Sequence, residues 1–101
     1  MTTGETLEFN THPSRKDPII RVLDDFQAKW SLHILWAIHR GVCRFNDLLR
    51  VLVISPTLLR DRLRDLEAAG YVQRQGRTYG LTLKGLAVAR VLAHLEAASE
   101  L

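Results

Sequence analysis

Apolar residues recur at helical spacing in five stretches of the chain, and two of these stretches open with a strong start signal. Asp17 precedes Pro18, and Ser55 precedes Pro56. A short polar side chain caps the free amides at a helix start, while proline fits the first helical turn. A third stretch is predicted to use Asn46 as its N-cap. The predicted helices cover residues 18–28, 31–39, 45–52, 55–69 and 83–95.

Between the fourth and fifth predicted helices the pattern changes to that of two short strands. Residues 71–74 and 78–82 are the strand candidates, and the turn at residues 75–77 centres on Gly76. An isolated two-stranded ribbon is unstable, so this one must pack against the helices. Since a tight link joins the third and fourth helices, the order predicts a helix-turn-helix followed by a β-wing. The predicted fold class is mainly α with a small β-wing (α+β), a winged helix-turn-helix.

Length and composition indicate one small domain. The chain has 101 residues, of which 47% are hydrophobic and 25% charged, as in an ordinary globular domain. Residues 1–17 hold few apolar side chains and recurrent Thr, Gly, Asn and Pro, so we predict a flexible arm before a domain at 18–101. No signal segment, bilayer-length apolar run or second cysteine beside Cys43 is present, which favours a soluble, cytoplasmic protein.

Positive charge is concentrated in the middle of the chain. The net charge is +3, whereas residues 40–77 alone carry eight arginines against four acidic residues, a net charge of +4. The planar guanidinium group suits phosphate oxygens and guanine edges, so this distribution favours a nucleic-acid partner. From charge alone, a helical surface decorated for solubility is an equal alternative.

Six runs of residues, taken in order along the chain, carry a resemblance to a known family. They cover residues 28–35, 44–48, 54–59, 62–67, 69–72 and 79–85. For example, Arg44-Phe45-Asn46-Asp47-Leu48 is similar to the Arg-Phe-Asn-Glu-Leu motif of the HxlR-type regulators. The resemblance spans roughly residues 18–95 and implies a dimeric bacterial or archaeal transcription regulator that binds operator DNA.

Two departures from the family pattern limit what is carried over. Family members that sense oxidants or electrophiles often have a cysteine before the proline that opens the first helix, and here that residue is Asp17. Cys43 lies ahead of the third helix instead, so no thiol switch is carried over. The wing is also short for the family, because only the turn at residues 75–77 separates the two strand candidates.

The predicted DNA-binding residues lie on the helix-turn-helix and on both sides of the wing turn. The fourth helix would enter the major groove as the recognition helix, where Arg60 and Arg64 could bind guanine O6 and N7. Leu58 either meets a thymine methyl or packs inward, while Asp61 either accepts from cytosine or, as we favour, pairs with Arg64. Wing residues 74–78 would contact the backbone or the minor groove. The full predicted set is Arg44, Asn46, Ser55, Pro56, Thr57, Leu58, Arg60, Asp61, Arg64, Arg74 and Arg77.

The last predicted helix has more apolar residues than one small core requires, which indicates a partner surface. Together with the first helix it would pair with a second copy, placing two recognition helices one DNA turn apart on a palindromic operator. The alternative is a helix buried within its own monomer. The predicted interface residues are Ile19, Leu23, Leu86, Val88, Val91, Leu92 and Leu95.

The sequence carries no pattern typical of catalysis. Its four histidines lack metal-ligand spacing, and it has no Gly-rich phosphate loop, nucleophile motif or carboxylate pair. We therefore expect no enzyme activity, cofactor or metal. The leading hypothesis is a homodimeric, sequence-specific regulator of transcription that binds double-stranded DNA as a repressor. The second is a protein-interaction module built on a winged-helix scaffold, and the residues specify neither an operator sequence nor a small-molecule effector.

Overall fold

The winged helix-turn-helix predicted from the sequence is confirmed. The structure, a computed structural model, describes residues 16–101. The predicted arm at 1–17 therefore lies, apart from Lys16 and Asp17, outside the described residues. In chain order the elements are α1 (Pro18–Asp25), α2 (Ser31–His39), α3 (Phe45–Leu52), α4 (Pro56–Ala68), β1 (Val72–Gln75), β2 (Thr78–Leu81), α5 (Leu83–Leu95) and a 3₁₀ helix (Glu96–Glu100).

Helix α3 has the predicted range, but its N-cap differs from the prediction. Arg44, not Asn46, is the N-cap, with extended backbone angles (φ −100°, ψ 145°), and the helix begins at Phe45. The reason is tertiary: Arg44 forms an isolated antiparallel bridge with Thr78 of β2. Because this bridge keeps the chain extended up to Arg44, the first helical hydrogen bond runs from the amide of Leu48 to the Arg44 carbonyl, at 2.9 Å.

The two strongest start signals work as predicted. The Asp17 side chain accepts a hydrogen bond from the amide of Ile19 at 3.1 Å, and Ser55 Oγ accepts one from the amide of Leu58 at 3.2 Å. At its other end α1 stops at Asp25, three residues earlier than the predicted boundary. Phe26, the next residue, packs on the ring of Tyr71. Its apolar side chain therefore continues the helical spacing in the sequence although the helix has ended.

The core forms where α2 and α4 face the wing and α5. Ile34 and Leu35 of α2 are fully buried, and Tyr71 is the largest of the side chains that are completely enclosed. Three leucines at i, i+4 and i+7 make up the inner side of α4, as the helical period requires. These are Leu59, Leu63 and Leu66.

The wing is a tight hairpin fixed to the helix-turn-helix. β1 and β2 pair antiparallel with Gln75 opposite Thr78, which leaves only Gly76 and Arg77 in the turn. Gly76 has φ +62°, the left-handed value that a type II′ hairpin turn places on glycine. Tyr79 donates its amide to the carbonyl of Cys43 at 2.8 Å, so the loop before α3 extends the ribbon. Wing and helix-turn-helix therefore form one packed unit.

Candidate nucleic-acid interface

A basic cleft opens between the start of α3, the outer side of α4 and the wing. Its volume is about 580 Å³. Five arginines from four different places in the chain line it, which gives it a strongly positive character. The lining residues are Arg44, Phe45, Asn46, Asp47, Arg50, Arg60, Arg74, Arg77 and Tyr79.

Two aromatic rings hold two of these arginines in place. The Arg60 guanidinium carbon lies 5.1 Å from the centroid of the Phe45 ring, and that of Arg74 lies 5.7 Å from the Tyr79 ring. Both distances are within cation–π range. Arg74 Nε also donates to the carbonyl of Gly76 at 3.1 Å. Since both guanidinium groups are already oriented, less side-chain freedom is lost when they bind an anion.

Arg50 belongs to the cleft, although it was not among the predicted DNA-binding residues. Its guanidinium group donates to Asp47 Oδ1 at 2.6 Å; the Arg50 side chain is exposed and Asp47 is half-buried. A usable signal was present, because Arg50 follows Asn46 by four residues and therefore lies on the same side of α3. Phe45 and Tyr79 were also missed. The only signals were that Phe45 follows Arg44 in the sequence and that Tyr79 lies opposite Arg74 in the hairpin.

The predicted DNA-binding residues fall into two groups. The cleft brings together Arg44, Asn46, Arg60, Arg74 and Arg77. The remaining predicted residues lie on or next to α4 without lining the cleft. They are Ser55, Pro56, Thr57, Leu58, Asp61 and Arg64.

Within the α4 group the side chains differ in exposure. Leu58 is half-buried and packs against the core, the inward placement that the sequence left open. Thr57 is exposed, and Arg64 Nη1 lies 3.2 Å from Asp61 Oδ1 in an ion pair on the outer surface. The outer surface of α4 thus presents a hydroxyl, a carboxylate and a guanidinium group.

The apolar residues of α1 and α5 divide between the monomer's own core and its surface. Val88 and Leu92 pack against the core, and Leu86 is half-buried. Four others are more than half exposed and lie on the outside of the molecule. These are Ile19, Leu23, Val91 and Leu95. Helix α5 therefore has one side buried within its own monomer and another apolar side that no other part of residues 16–101 covers.

Within residues 16–101, no group of three or more His, Cys, Asp or Glu side chains is arranged to hold a metal ion. Over the same residues no helix combines the length and apolar character that crossing a bilayer needs.

The elements and their order define a winged helix-turn-helix protein, and comparison with known families identifies its family. The model of the HxlR-like helix-turn-helix family matches residues 26–100. The chain belongs to this family. No curated protein matches it.

Solved structures of transcription regulators have the same fold. Quinone-bound YodB from B. subtilis superposes with a TM-score of 0.72 at 28% identity, over 81% of this chain and 94% of that one. A candidate MarR-family regulator from Enterococcus faecalis V583 gives 0.73 at 30% identity, over 89% of each chain. A candidate HxlR-family transcription factor from Thermoplasma volcanium gives 0.67 at 30% identity, over 84% and 87%. The chain therefore has the fold of an HxlR-type transcription regulator.

Proposed function

We propose that this protein is a homodimeric transcription regulator that binds double-stranded DNA sequence-specifically and acts as a repressor in the cytoplasm. The observation that carries the proposal is the basic cleft. Five arginines from α3, α4, the wing and the loop before α3 converge there on one side of a fold whose relatives are transcription regulators. A charged surface evolved only for solubility has no reason to gather them beside the recognition helix.

The proposed binding mode follows from the positions of the elements. With α4 in the major groove, the cleft beside it faces one strand of the phosphate backbone, and wing residues 74–78 reach toward the adjacent minor groove. The amides at the start of α3 carry no side-chain cap. They add a partial positive charge at the cleft through the helix dipole.

Repression and dimerisation are the finer parts of the proposal. Occupancy of the DNA by itself blocks transcription, whereas activation needs an additional contact with the transcription machinery, so repression demands less of this small fold. The uncovered apolar side of α5 is the support for a homodimer, because an exposed aliphatic surface is stabilised by pairing. A twofold dimer would in turn require a palindromic operator.

The direct test is capture of DNA by the purified chain. Sheared genomic DNA from the source organism is incubated with the protein at near-physiological salt, and the retained fragments are sequenced. We expect an inverted repeat whose half-sites lie about one turn, ~34–36 Å, apart. Retention of fragments with no shared sequence, or no retention, would contradict the proposal.

A charge-deletion pair tests whether the wing contributes to binding. Arg77→Ala should weaken binding to every duplex alike and lower the slope of log affinity against log salt by about 0.9, the value for one lost phosphate contact. Arg90→Ala is the matched control, because it removes the same charge from exposed α5 outside the cleft. Fluorescence anisotropy at several salt concentrations measures both. Equal slopes for the two variants would remove Arg77 from the interface.

A protein-interaction module is the second candidate, and one feature favours it. An apolar groove of about 320 Å³ runs between α2 and α5, lined by Leu32, His33, Trp36, Leu92, Leu95 and Glu96. This candidate predicts that the wild-type chain has no affinity for DNA, so the capture experiment separates the two functions.

A further inference from the structure

The outer surface of α4 separates into two regions when its residues are projected down the helix axis. Each residue advances by about 100°, so the side opposite the three buried leucines is defined by the helical period. Thr57, Asp61 and Arg64, at i, i+4 and i+7, lie within about 60° of one another on that opposite side. This stripe is the part of α4 farthest from the core, and therefore the part that enters deepest into a groove.

Arg60 lies beside this stripe, on the side that faces α3. It is turned about 40° from Arg64 and about 100° from Asp61, and its guanidinium group stacks on Phe45 and lines the basic cleft. The other arginines of the cleft come from α3, the loop before it and the wing, and none of these elements enters the major groove in this fold. The surroundings of Arg60 are thus those of a backbone contact.

Asp61 is unfavourable for general DNA binding, because its carboxylate repels phosphate and offsets the charge of Arg64, 3.2 Å away. The same carboxylate is favourable opposite one base, since it accepts a hydrogen bond from the N4 amino group of cytosine. Arg64 complements it, because a guanidinium group donates to O6 and N7 of guanine. A group that weakens binding to all DNA while favouring one base increases discrimination.

We infer that Asp61 is a specificity-determining residue. The Asp61–Arg64 pair contacts base edges of a site that contains a G·C pair, while Arg60 binds the phosphate backbone with the cleft. This inference rests on the proposed function, because it refines how the same surface distinguishes one DNA sequence from another.

The test compares two DNA probes and four variants of the full chain. The wild type first selects duplexes from a library with a randomised core, and its affinity is then measured for the selected duplex and for a scrambled duplex of equal composition. The ratio of these affinities is the specificity. The variants are Asp61→Asn, Arg64→Gln, Arg60→Gln and Asp65→Asn. Asp65→Asn is the control for Asp61→Asn, because it removes the same charge one turn along α4, from an exposed carboxylate that pairs with Arg62 at 3.8 Å.

Each variant has a distinct expected result. Asp61→Asn should lower the specificity about tenfold or more and should bind the scrambled duplex more tightly than the wild type does. Arg64→Gln should lower the specificity to a similar extent. Arg60→Gln should weaken both complexes equally and lower the salt slope by about 0.9. Asp65→Asn should leave the specificity unchanged.

The outcomes separate this inference from the proposed function. Failure of the wild type to select any duplex overturns both. If the wild type selects a sequence but Asp61→Asn retains the specificity of Asp65→Asn, the inference alone is wrong. It is also wrong if Arg60→Gln loses specificity as Arg64→Gln does. All four side chains are substantially exposed, and circular dichroism checks that each variant remains folded.

Discussion

Tyr71 joins two parts of the chain that are far apart in sequence. Its side chain is almost completely buried, and its hydroxyl donates to Asp25 Oδ2 at the end of α1, at 2.6 Å. The Phe26 ring packs on the Tyr71 ring, with the two centroids 4.6 Å apart. Lys84 Nζ, from α5, lies 4.4 Å from the centroid of the Tyr71 ring. Burial, and then the bond to the Asp25 carboxylate, raise the pKa of the Tyr71 phenol above its ordinary value. One residue thereby fixes α1 to the body.

This hydrogen bond makes stability depend on pH in alkaline solution. Tyr71→Phe should lower the free energy of unfolding by about 1–2 kcal/mol near neutral pH. The raised pKa of Tyr71 means that the unfolded chain loses the phenol proton first, so the contribution is complete below about pH 10 and declines above it. The difference in unfolding free energy between the protein with Tyr71 and its Tyr71→Phe variant should therefore shrink as the pH rises. Urea unfolding at each pH measures this difference, in a Tyr79→Phe background that leaves Tyr71 as the sole phenol. A difference that stays constant with pH would contradict the hydrogen bond from Tyr71 to Asp25 as its source.

At the scale of elements, the contact between α5 and the start of β1 leaves no room for a side chain. A Cβ atom on Gly85 would collide with the backbone carbonyl of Tyr71. Thr82 strengthens the same junction: its amide donates to the Tyr71 carbonyl at 3.1 Å, and its hydroxyl donates to the Gly70 carbonyl at 2.6 Å. The close approach of helix and strand thus sets how α5 is placed against the wing.

Gly85→Ala should therefore be strongly destabilising. The methyl group meets backbone, which cannot move aside as a flexible side chain can, so we expect a loss of about 2 kcal/mol or more, at the upper end for overpacked sites. Gly80→Ala in β2 is the matched control, because no atom of residues 16–101 outside its immediate neighbours lies within 4 Å of the added Cβ. It should be neutral or slightly stabilising, by reducing the freedom of the unfolded chain. Chemical denaturation compares the two, and equal stabilities would show that the junction can adapt.

How far the sequence predicts each element depends on whether its cause is local. Asp17-Pro18 and Ser55-Pro56 carry their start signals within a few residues, so both helix starts were predicted correctly. The N-cap of α3 was predicted wrongly because its cause, the bridge of Arg44 to Thr78, lies far along the chain. The basic cleft shows the same limit: its charge was visible in the sequence, but the aromatic rings that orient the arginines come from separate elements.

The turn between α1 and α2 could not be predicted from residue types. Trp30, the residue before α2, has φ +80°, a left-handed conformation that is rare for a large side chain. A contact from a distant helix accompanies it, because Arg62 Nε of α4 donates to the carbonyl of Lys29 at 2.8 Å. Arg62 was not among the predicted functional residues, and the structure shows that its side chain contacts this turn.

At the scale of the whole molecule, the uncovered apolar side of α5 bears on the proposed homodimer. Val91→Glu should convert the proposed dimer into a folded monomer, since it places a charge in the apolar contact. Val51→Glu on α3 is the matched control, because both valines are 58% exposed. Size-exclusion chromatography with light scattering gives the mass, and circular dichroism the fold. A wild type that is monomeric, or a Val91→Glu protein that remains dimeric, would argue against this surface.

The two-residue turn of the wing has a thermodynamic consequence. Fixing the backbone of a flexible loop costs about 1–2 kcal/mol of conformational entropy for each residue that becomes ordered. A long wing incurs this cost each time it closes on a partner, and the folding of such a segment contributes a large negative heat-capacity change. In this protein the pairing of β1 and β2 extends to Gln75 and Thr78, and the hydrogen bond from Arg74 to the Gly76 carbonyl orders the tip before any partner binds. Calorimetry of association should accordingly find a small heat-capacity change from the wing, and a correspondingly small entropic penalty.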